Sequence, residues 1–353
     1  MRKTKTRNLH RFLIAQPNNL GDVVCCLPIA GAIKQAWPQA QVFFAARPYA
    51  KALIKASAHI DGYLDSDLVR SNQHLMRELR ADVFINPSRE QALAASAKRA
   101  HIPIRIGNLR RLNTLNYCNQ FVYFGRDRSG LHEVQLNLKE LSALRIKTDF
   151  SADQIHALYG LTKLRPLSLA SSSVLEDSRF KLIFHVKSNG NSREWPIEHF
   201  YALAKILPEA QFKIFVTGVA QDGDWIRQRC PQLLMLPHVT DMTGRIDLEE
   251  FISFIAGADG LLAASTGPLH IAAALGKYAL GVYPPRAGKE PVRWGPMGLR
   301  AECLTLEKGC VPGPETCAKN AVDGGPCACM FKILPTQVAD RLLNWLPSQV
   351  VAT

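Results

Sequence analysis

No stretch of the 353 residues approaches the ~18 to 20 unbroken apolar residues of a membrane span, so a transmembrane helix is not expected. The basic N-terminus, MRKTKTRNLHRFLIAQPNN, has too short an apolar run for a signal peptide, and the protein is expected to stay in the cytoplasm. Recognition-helix patterns, zinc-finger spacings and RNP-like aromatic motifs are missing, which leaves no support for nucleic acid as a partner. Acidic residues are scarce at the start: residues 1–150 hold 23 Lys+Arg against 11 Asp+Glu, and the remainder 20 against 19. The net charge of +13 is therefore concentrated in the first half, which predicts a polyanionic ligand there. An anionic glycolipid at a membrane surface fits that charge; a basic surface that only confers solubility fits it too.

Paired CxxC spacings are also absent. Nine cysteines in a cytosolic chain argue against a disulfide framework. Cys25, Cys26, Cys118 and Cys230 stand among apolar neighbours and read as buried thiols. Cys303, Cys310, Cys317, Cys327 and Cys329 fall in one Gly/Pro-rich segment, for which two readings stay open: a loop-borne structural zinc or iron site, or reduced cysteines without a ligand.

At 47% hydrophobic and 21% charged the chain is globular, and its length predicts two domains. Short apolar runs alternate with helical segments. RFLIA (11–15), QVFFAA (41–46), ADVFIN (81–86) and IRIG (104–107) read as strands in the first half; KLIFHV (181–186), QFKIFVT (211–217), 260–264 and 280–283 do so in the second. This predicts an α/β protein with two doubly wound parallel sheets. The expected division is a domain over 1–165, a linker over 166–180 rich in Ser and Leu without clear periodicity, and a second domain over 181–333. A final helix within 334–353 is expected to pack back toward the first domain.

The most informative stretch is LLAASTGPLHIAAALGK, residues 261–277. An apolar strand runs into Ser265, Thr266 and Gly267, with Ser265 as the N-cap hydroxyl, and Pro268 falls in the first turn of a helix carrying His270. Helix N-termini at strand ends bind anions through unpaired N–H groups and the helix dipole. Asp22 sits at the mouth of the first strand-to-helix junction, where it is also an ordinary helix N-terminal Asp.

Four segments in order, NLGDVVCCLPIAGAIKQAWPQAQV, REWPIEHF, DMTGRIDLEEFISFIAGADGLLAASTGPLHIAAALGK and YPPRAGKEPVRWGP, resemble glycosyltransferase family 9, the lipopolysaccharide heptosyltransferases. The resemblance implies a GT-B fold, two Rossmann-like domains facing across a cleft, with the acceptor on the first and an ADP-heptose donor on the second. It implies inverting transfer with no metal or other cofactor required for the chemistry, and Asp22 as general base. It further implies donor contacts from Ser188, Asn189, Arg193, Ser265, Thr266, Gly267 and His270, with Asp222 a looser match. Ser265 departs from the family's usual Asp in that turn. Arg47, Arg89, Arg105, Arg110 and Arg111, at or after expected strand ends, suit the phosphates and carboxylates of an inner-core lipopolysaccharide acceptor. His132, in HEVQLN, resembles a family histidine near the acceptor.

The expected setting is peripheral, at the inner face of the bacterial inner membrane, as a monomer or weak oligomer. Two other functions remain open: a sugar transferase acting on a protein or another glycan, and a non-catalytic protein that binds a nucleotide sugar or glycolipid.

Overall fold

A computed structural model of the chain describes residues 9–109, 112–126, 129–188, 190, 192–285, 291–306 and 328–346. The chain divides into two compact units, Met1–Leu164 and Arg165–Thr353. In the first, six parallel strands are β1 (Arg11–Ala15), β2 (Gln41–Ala46), β3 (Gly62–Asp65), β4 (Val83–Ile85), β5 (Ile104–Asn108) and β6 (Gln120–Val122), in spatial order β3-β2-β1-β4-β5-β6. In the second they are β7 (Phe180–His185), β8 (Phe212–Thr217), β9 (Val239–Asp241), β10 (Gly260–Ala264), β11 (Tyr278–Tyr283) and β12 (Ala301–Thr305). Their order, β12-β11-β10-β7-β8-β9, is the same topology traced from the other edge. Both units thus have the dinucleotide-binding strand order, with a reversal between the first and fourth strand of each.

The central strands are buried on both faces. Phe12, Leu13, Ile14 and Ala15 are fully covered, as are Leu261, Leu262 and Ala263, which is why these segments read as continuous apolar runs. One device recurs at the opposite edge. Asp82, just before β4, accepts from the Arg11 N–H at 2.9 Å, and Asp259, just before β10, accepts from the Lys181 N–H at 2.7 Å. Each aspartate aligns the fourth strand of its unit with the first.

The helix Leu20–Ala36 follows β1 and is buried continuously from Val23 to Ile33. Gly31 brings it against the helix Ala152–Tyr159; a Cβ there would lie 2.4 Å from the Leu158 carbonyl oxygen. Of the four isolated cysteines, Cys25, Cys26, Cys118 and Cys230 are all free and buried, and burial pushes their thiols up.

Two segments differ from expectation. Within the expected linker, Ser168 caps a helix, Leu169–Leu175, by accepting from Ser171 N–H, and Ser168 itself is held by Glu250 at 2.6 Å. The final helix, Pro335–Leu343, belongs to the core of the second unit: Val338, Ala339, Leu342 and Trp345 pack with Leu182, Phe184 and Phe200. Trp345 stacks on Tyr278 at 5.0 Å, and Trp195 Nε1 donates to the Ile333 carbonyl at 2.9 Å. Each such buried aromatic contributes about 1.5–3 kcal/mol of transfer free energy, enough to bind the C-terminal segment into that unit. Among the described residues no helix is long and apolar enough to cross a membrane.

Candidate active site

In the first unit the loops leaving β1 and β4 diverge, because the strand order reverses between them, and open a crevice at the carboxyl ends of the strands. The β1 loop, residues 16–19, is held from several sides. Gln16 is buried, its N–H donates to the Ala45 carbonyl at 2.9 Å, and its Oε1 accepts from Asn18 N–H at 3.3 Å. Tyr49 Oη donates to the Asn18 carbonyl at 2.5 Å. The helix Leu20–Ala36 starts directly from this turn, and Asn19 at its N-cap makes no side-chain cap bond. Asp22, half-buried, is the acidic residue of the first turn, where the dipole favours a carboxylate.

Across the reversal, the β4 loop is knotted by Asn86, whose Oδ1 accepts from Ser88 Oγ at 2.9 Å and Glu90 N–H at 3.2 Å. It holds Arg89 at φ 59°, a left-handed backbone that costs energy for any side chain but glycine. Arg47 is exposed at the end of β2. Burial pushes the Tyr49 phenol upward, Arg47 opposes that and Asp22 reinforces it, so these three side chains share one electrostatic neighbourhood.

The other acceptor candidates are placed differently. Arg105 is the second residue of β5, at the strand's amino end, and its guanidinium is committed to the carbonyls of Tyr117 (2.7 Å) and Ile102 (2.5 Å). It serves the fold and not the crevice. His132 is buried and caps the helix Glu133–Leu138, its Nδ1 accepting from Val134 N–H at 3.1 Å. Arg110 and Arg111 lie outside the described residues.

In the second unit the reversal falls between β7 and β10. Glu194, 3% exposed, organises the β7 loop: its Oε1 accepts from Ser188 N–H (2.8 Å) and Ser188 Oγ (3.2 Å), and its Oε2 accepts from Lys187 Nζ (2.7 Å). Ser188 Oγ also lies 3.1 Å from the Ser192 carbonyl, so its hydroxyl is used within the loop. Lys187 sits 4.0 Å over the Trp225 ring. Arg193 is half-buried immediately before Glu194. Asn189 lies outside the described residues. Asp222, in the first turn of the helix Ala220–Arg229, accepts from Val219 N–H at 2.9 Å; burial raises its pKa against that bond and the charge of Lys187.

The β10 loop supplies the most telling geometry. The N-cap of the helix Gly267–Ala274 is Thr266, not the expected Ser265, because the chain is still extended at Thr266 (φ −130°, ψ 162°). Thr266 makes no side-chain cap bond, the first turn holds no acid, and Pro268 has no N–H to offer. The Thr266 hydroxyl is buried with no hydrogen-bond partner among the described residues, and so is Ser192 Oγ in the facing loop. Buried hydroxyls normally have partners; these two, on the loops that flank a strand reversal, are available to a polar ligand. His270 is buried on the same helix and Ser265 is half-buried beside it.

The sequence profile of glycosyltransferase family 9 (heptosyltransferase) matches residues 69–321. The chain belongs to glycosyltransferase family 9. Lipooligosaccharide heptosyltransferase 2 of Haemophilus influenzae is 21% identical to this family 9 protein over 346 residues, which cover 94% of this chain and 98% of that one. The solved structure of E. coli ADP-heptose lps heptosyltransferase II superposes with a TM-score of 0.72 at 18% identity, covering 95% and 98% of the two chains. E. coli heptosyltransferase WaaC with ADP gives a TM-score of 0.72 at 17% identity, covering 95% and 100%. The fold is GT-B, and this family 9 protein is a glycosyltransferase of the heptosyltransferase family.

Several residues of this glycosyltransferase that shape the two crevices were not legible as such. Lys187 and Glu194 lie beside or within the quoted REWP segment, yet a Lys–Glu pair seven apart on a loop has no periodic signature. Tyr49 follows Pro48 after a strand, where it reads as a turn residue. His185 closes β7: its Nδ1 lies 3.1 Å from Thr217 Oγ1, its ring stacks on Phe251, and burial lowers its pKa to about 4, so it is neutral at pH 7. Of the five clustered cysteines, Cys303 is in β12 paired with Gly281, and Cys329 is on a short helix, Ala328–Phe331. Cys310, Cys317 and Cys327 lie outside the described residues. Among the described residues no group of three His, Cys, Asp or Glu could hold a metal ion.

Proposed function

We propose that this enzyme transfers heptose from ADP-heptose to an inner-core lipopolysaccharide acceptor with inversion at the anomeric carbon. The acceptor is held by the first unit and the donor by the second. One observation carries the donor half: the helix Gly267–Ala274 begins at the β7/β10 reversal with no side-chain cap bond and a buried Thr266 hydroxyl that has no partner among the described residues. Backbone N–H groups and the helix dipole there suit a diphosphate. Arg193, on the facing loop, adds positive charge, while Lys187 there is already paired with Glu194, and His270 lies one turn along the helix.

In the acceptor half, Asp22 takes the proton of an acceptor hydroxyl as that oxygen attacks the anomeric carbon. The bond from the anomeric carbon to the phosphate oxygen breaks, and ADP leaves with its charge stabilised at the Thr266–Gly267 turn. Arg47, which shares the neighbourhood of Tyr49 with Asp22, and Arg89 on the β4 loop of the same basic unit suit the acceptor's anionic groups. The similar E. coli heptosyltransferase WaaC has been solved with ADP and with ADP-2-deoxy-2-fluoro heptose, which supports the donor assignment. The excess of Lys and Arg over residues 1–150 supports work at an anionic glycolipid surface, peripheral to the inner face of the inner membrane.

The test is incubation with a panel of ADP- and UDP-sugars and truncated lipopolysaccharide acceptors, read by mass spectrometry. A mass increment of one heptose from ADP-heptose alone is expected. A hexose increment from a UDP-hexose with none from ADP-heptose would refute the donor, and transfer to a protein in place of the glycolipid would refute the acceptor.

A further inference from the structure

Behind the Asp22 helix lies a buried charge cluster to which the proposed chemistry gives no part. Arg126 is 5% exposed and is enclosed by Glu133, Glu140 and Asn137, all buried. Its Nη1 donates to Glu133 Oε1 and, at 3.1 Å, to Asn137 Oδ1; its Nη2 donates to Glu140 Oε1 and to the Pro87 carbonyl, each at 3.4 Å. Because the guanidinium occupies Oδ1, the Asn137 amide is fixed with its nitrogen outward. That Nδ2 donates to the Cys25 carbonyl at 3.1 Å and to Cys26 Sγ at 3.2 Å.

These contacts reach both sides of the first unit's crevice. Cys25 is one turn along the helix from Asp22, and Pro28 leaves that stretch short of a rung, since it has no N–H for the Val24 carbonyl. Cys26 Sγ in turn accepts from Gln16 Nε2 at 3.5 Å, in the turn from which the helix starts. Pro87 belongs to the β4 loop, two residues before the strained Arg89. Buried ion clusters contribute little net stability compared with apolar packing of the same volume. Holding two loops in one geometry is a better account of this one.

We infer that Asn137 is a positioning residue for Asp22, and that Arg126 extends the same node to the β4 loop carrying Arg89. The inference rests on the reading of Asp22 as the base. The node fixes where the first helical turn stands relative to the acceptor, without touching substrate itself.

The test compares full-length Asn137→Ala, Asp22→Asn, the double variant and Arg126→Lys with the parent chain. Steady-state kinetics use ADP-heptose and a truncated lipopolysaccharide core, alongside hydrogen exchange read by mass spectrometry. Asn137→Ala should lower kcat by about 10- to 100-fold while both KM values stay within about twofold, and should speed exchange over residues 16–27 but not in the second unit. Added to Asp22→Asn, it should cause no further loss of rate. Unchanged kcat and exchange, or losses that multiply in the double variant, would overturn the inference. Should Asp22→Asn keep the parent rate, the base assignment fails, and exchange over 16–27 alone then decides whether Asn137 anchors the helix. If Asn137→Ala does not fold, Arg126→Lys carries the test: one ammonium cannot serve four partners, so kcat should fall and exchange over 83–90 should rise, and no change in either would overturn the node.

Discussion

Asp22 and Thr266 carry the chemistry proposed here, and their substitutions are expected to behave in opposite ways. Asp22→Asn keeps the size of the side chain and removes its basicity, so kcat should fall by about 100- to 10,000-fold with little change in ADP-heptose binding. Rapid-quench turnover together with calorimetric binding checks this, and a variant that keeps the parent kcat would remove Asp22 from the mechanism. At Thr266 the hydroxyl is buried and has no partner within the described protein. Thr266→Val trades it for a methyl of the same shape, which should leave Tm unchanged or slightly raised while weakening ADP binding about tenfold, the worth of one hydrogen bond to a charged group. A fall in Tm with unchanged ADP affinity would mean the hydroxyl serves the fold. Ser265, where the family usually has Asp, is half-buried beside this cap and does not itself cap the helix.

Among the elements, the helix Leu20–Ala36 depends on one close approach. At Gly31 an added Cβ would meet the Leu158 backbone at 2.4 to 2.9 Å, where no flexible side chain can give way. Gly31→Ala should therefore destabilise the first unit by about 1–3 kcal/mol, measured by urea unfolding. Because the same helix carries Asp22, kcat should fall as well; a fully active, fully stable variant would show that the helix pair can slide apart freely. The final helix Pro335–Leu343 is equally committed. Trp345 is 4% exposed, stacks on Tyr278 and donates from Nε1 to Glu302 at 3.0 Å. Trp345→Ala should cost about 3–5 kcal/mol, and a change under about 1 kcal/mol in denaturant unfolding would contradict its place in that core.

Over the whole molecule, desolvation shifts two groups, the fully buried Glu140 and the partly buried His185, and these set stability from opposite sides. Glu140 is fully buried; desolvation raises its pKa from 4.5 to about 7 against the pull of Arg126 and Arg89. The folded state therefore holds its proton more tightly than the unfolded chain, and stability is lost as pH rises from 4.5 through 7. His185 moves the other way, from 6.5 to about 4 through burial, so stability is lost as pH falls from 6.5 toward 4. Glu140→Gln cannot ionise, so its Tm relative to the parent should improve as pH is raised from about 5 to about 8. A Tm difference that stays flat or moves against the variant across that range would contradict the assignment.

Fold class and most strand positions could be read directly from the chain, because strands buried on both faces must be apolar throughout: RFLIA, QVFFAA and GLLAA each fall where the pattern puts them. The strands β6, β9 and β12 could not, since edge strands are short or half-exposed and leave no continuous apolar run. The strand-to-helix turns holding Asp22 and Thr266 were also legible, as local sequence makes a turn and opens a helix. Which arginines are spent within the fold was not. Arg105 and Arg89 look alike in the chain, yet one is spent on two carbonyls at the amino end of a strand and the other is held in a left-handed turn at a carboxyl end. Local propensity and periodicity belong to neighbours in sequence and are fixed by it. The strand reversals, the Arg126–Asn137 node and the unfilled cap at Thr266 join residues far apart in the chain, and only the packed tertiary structure brings them together.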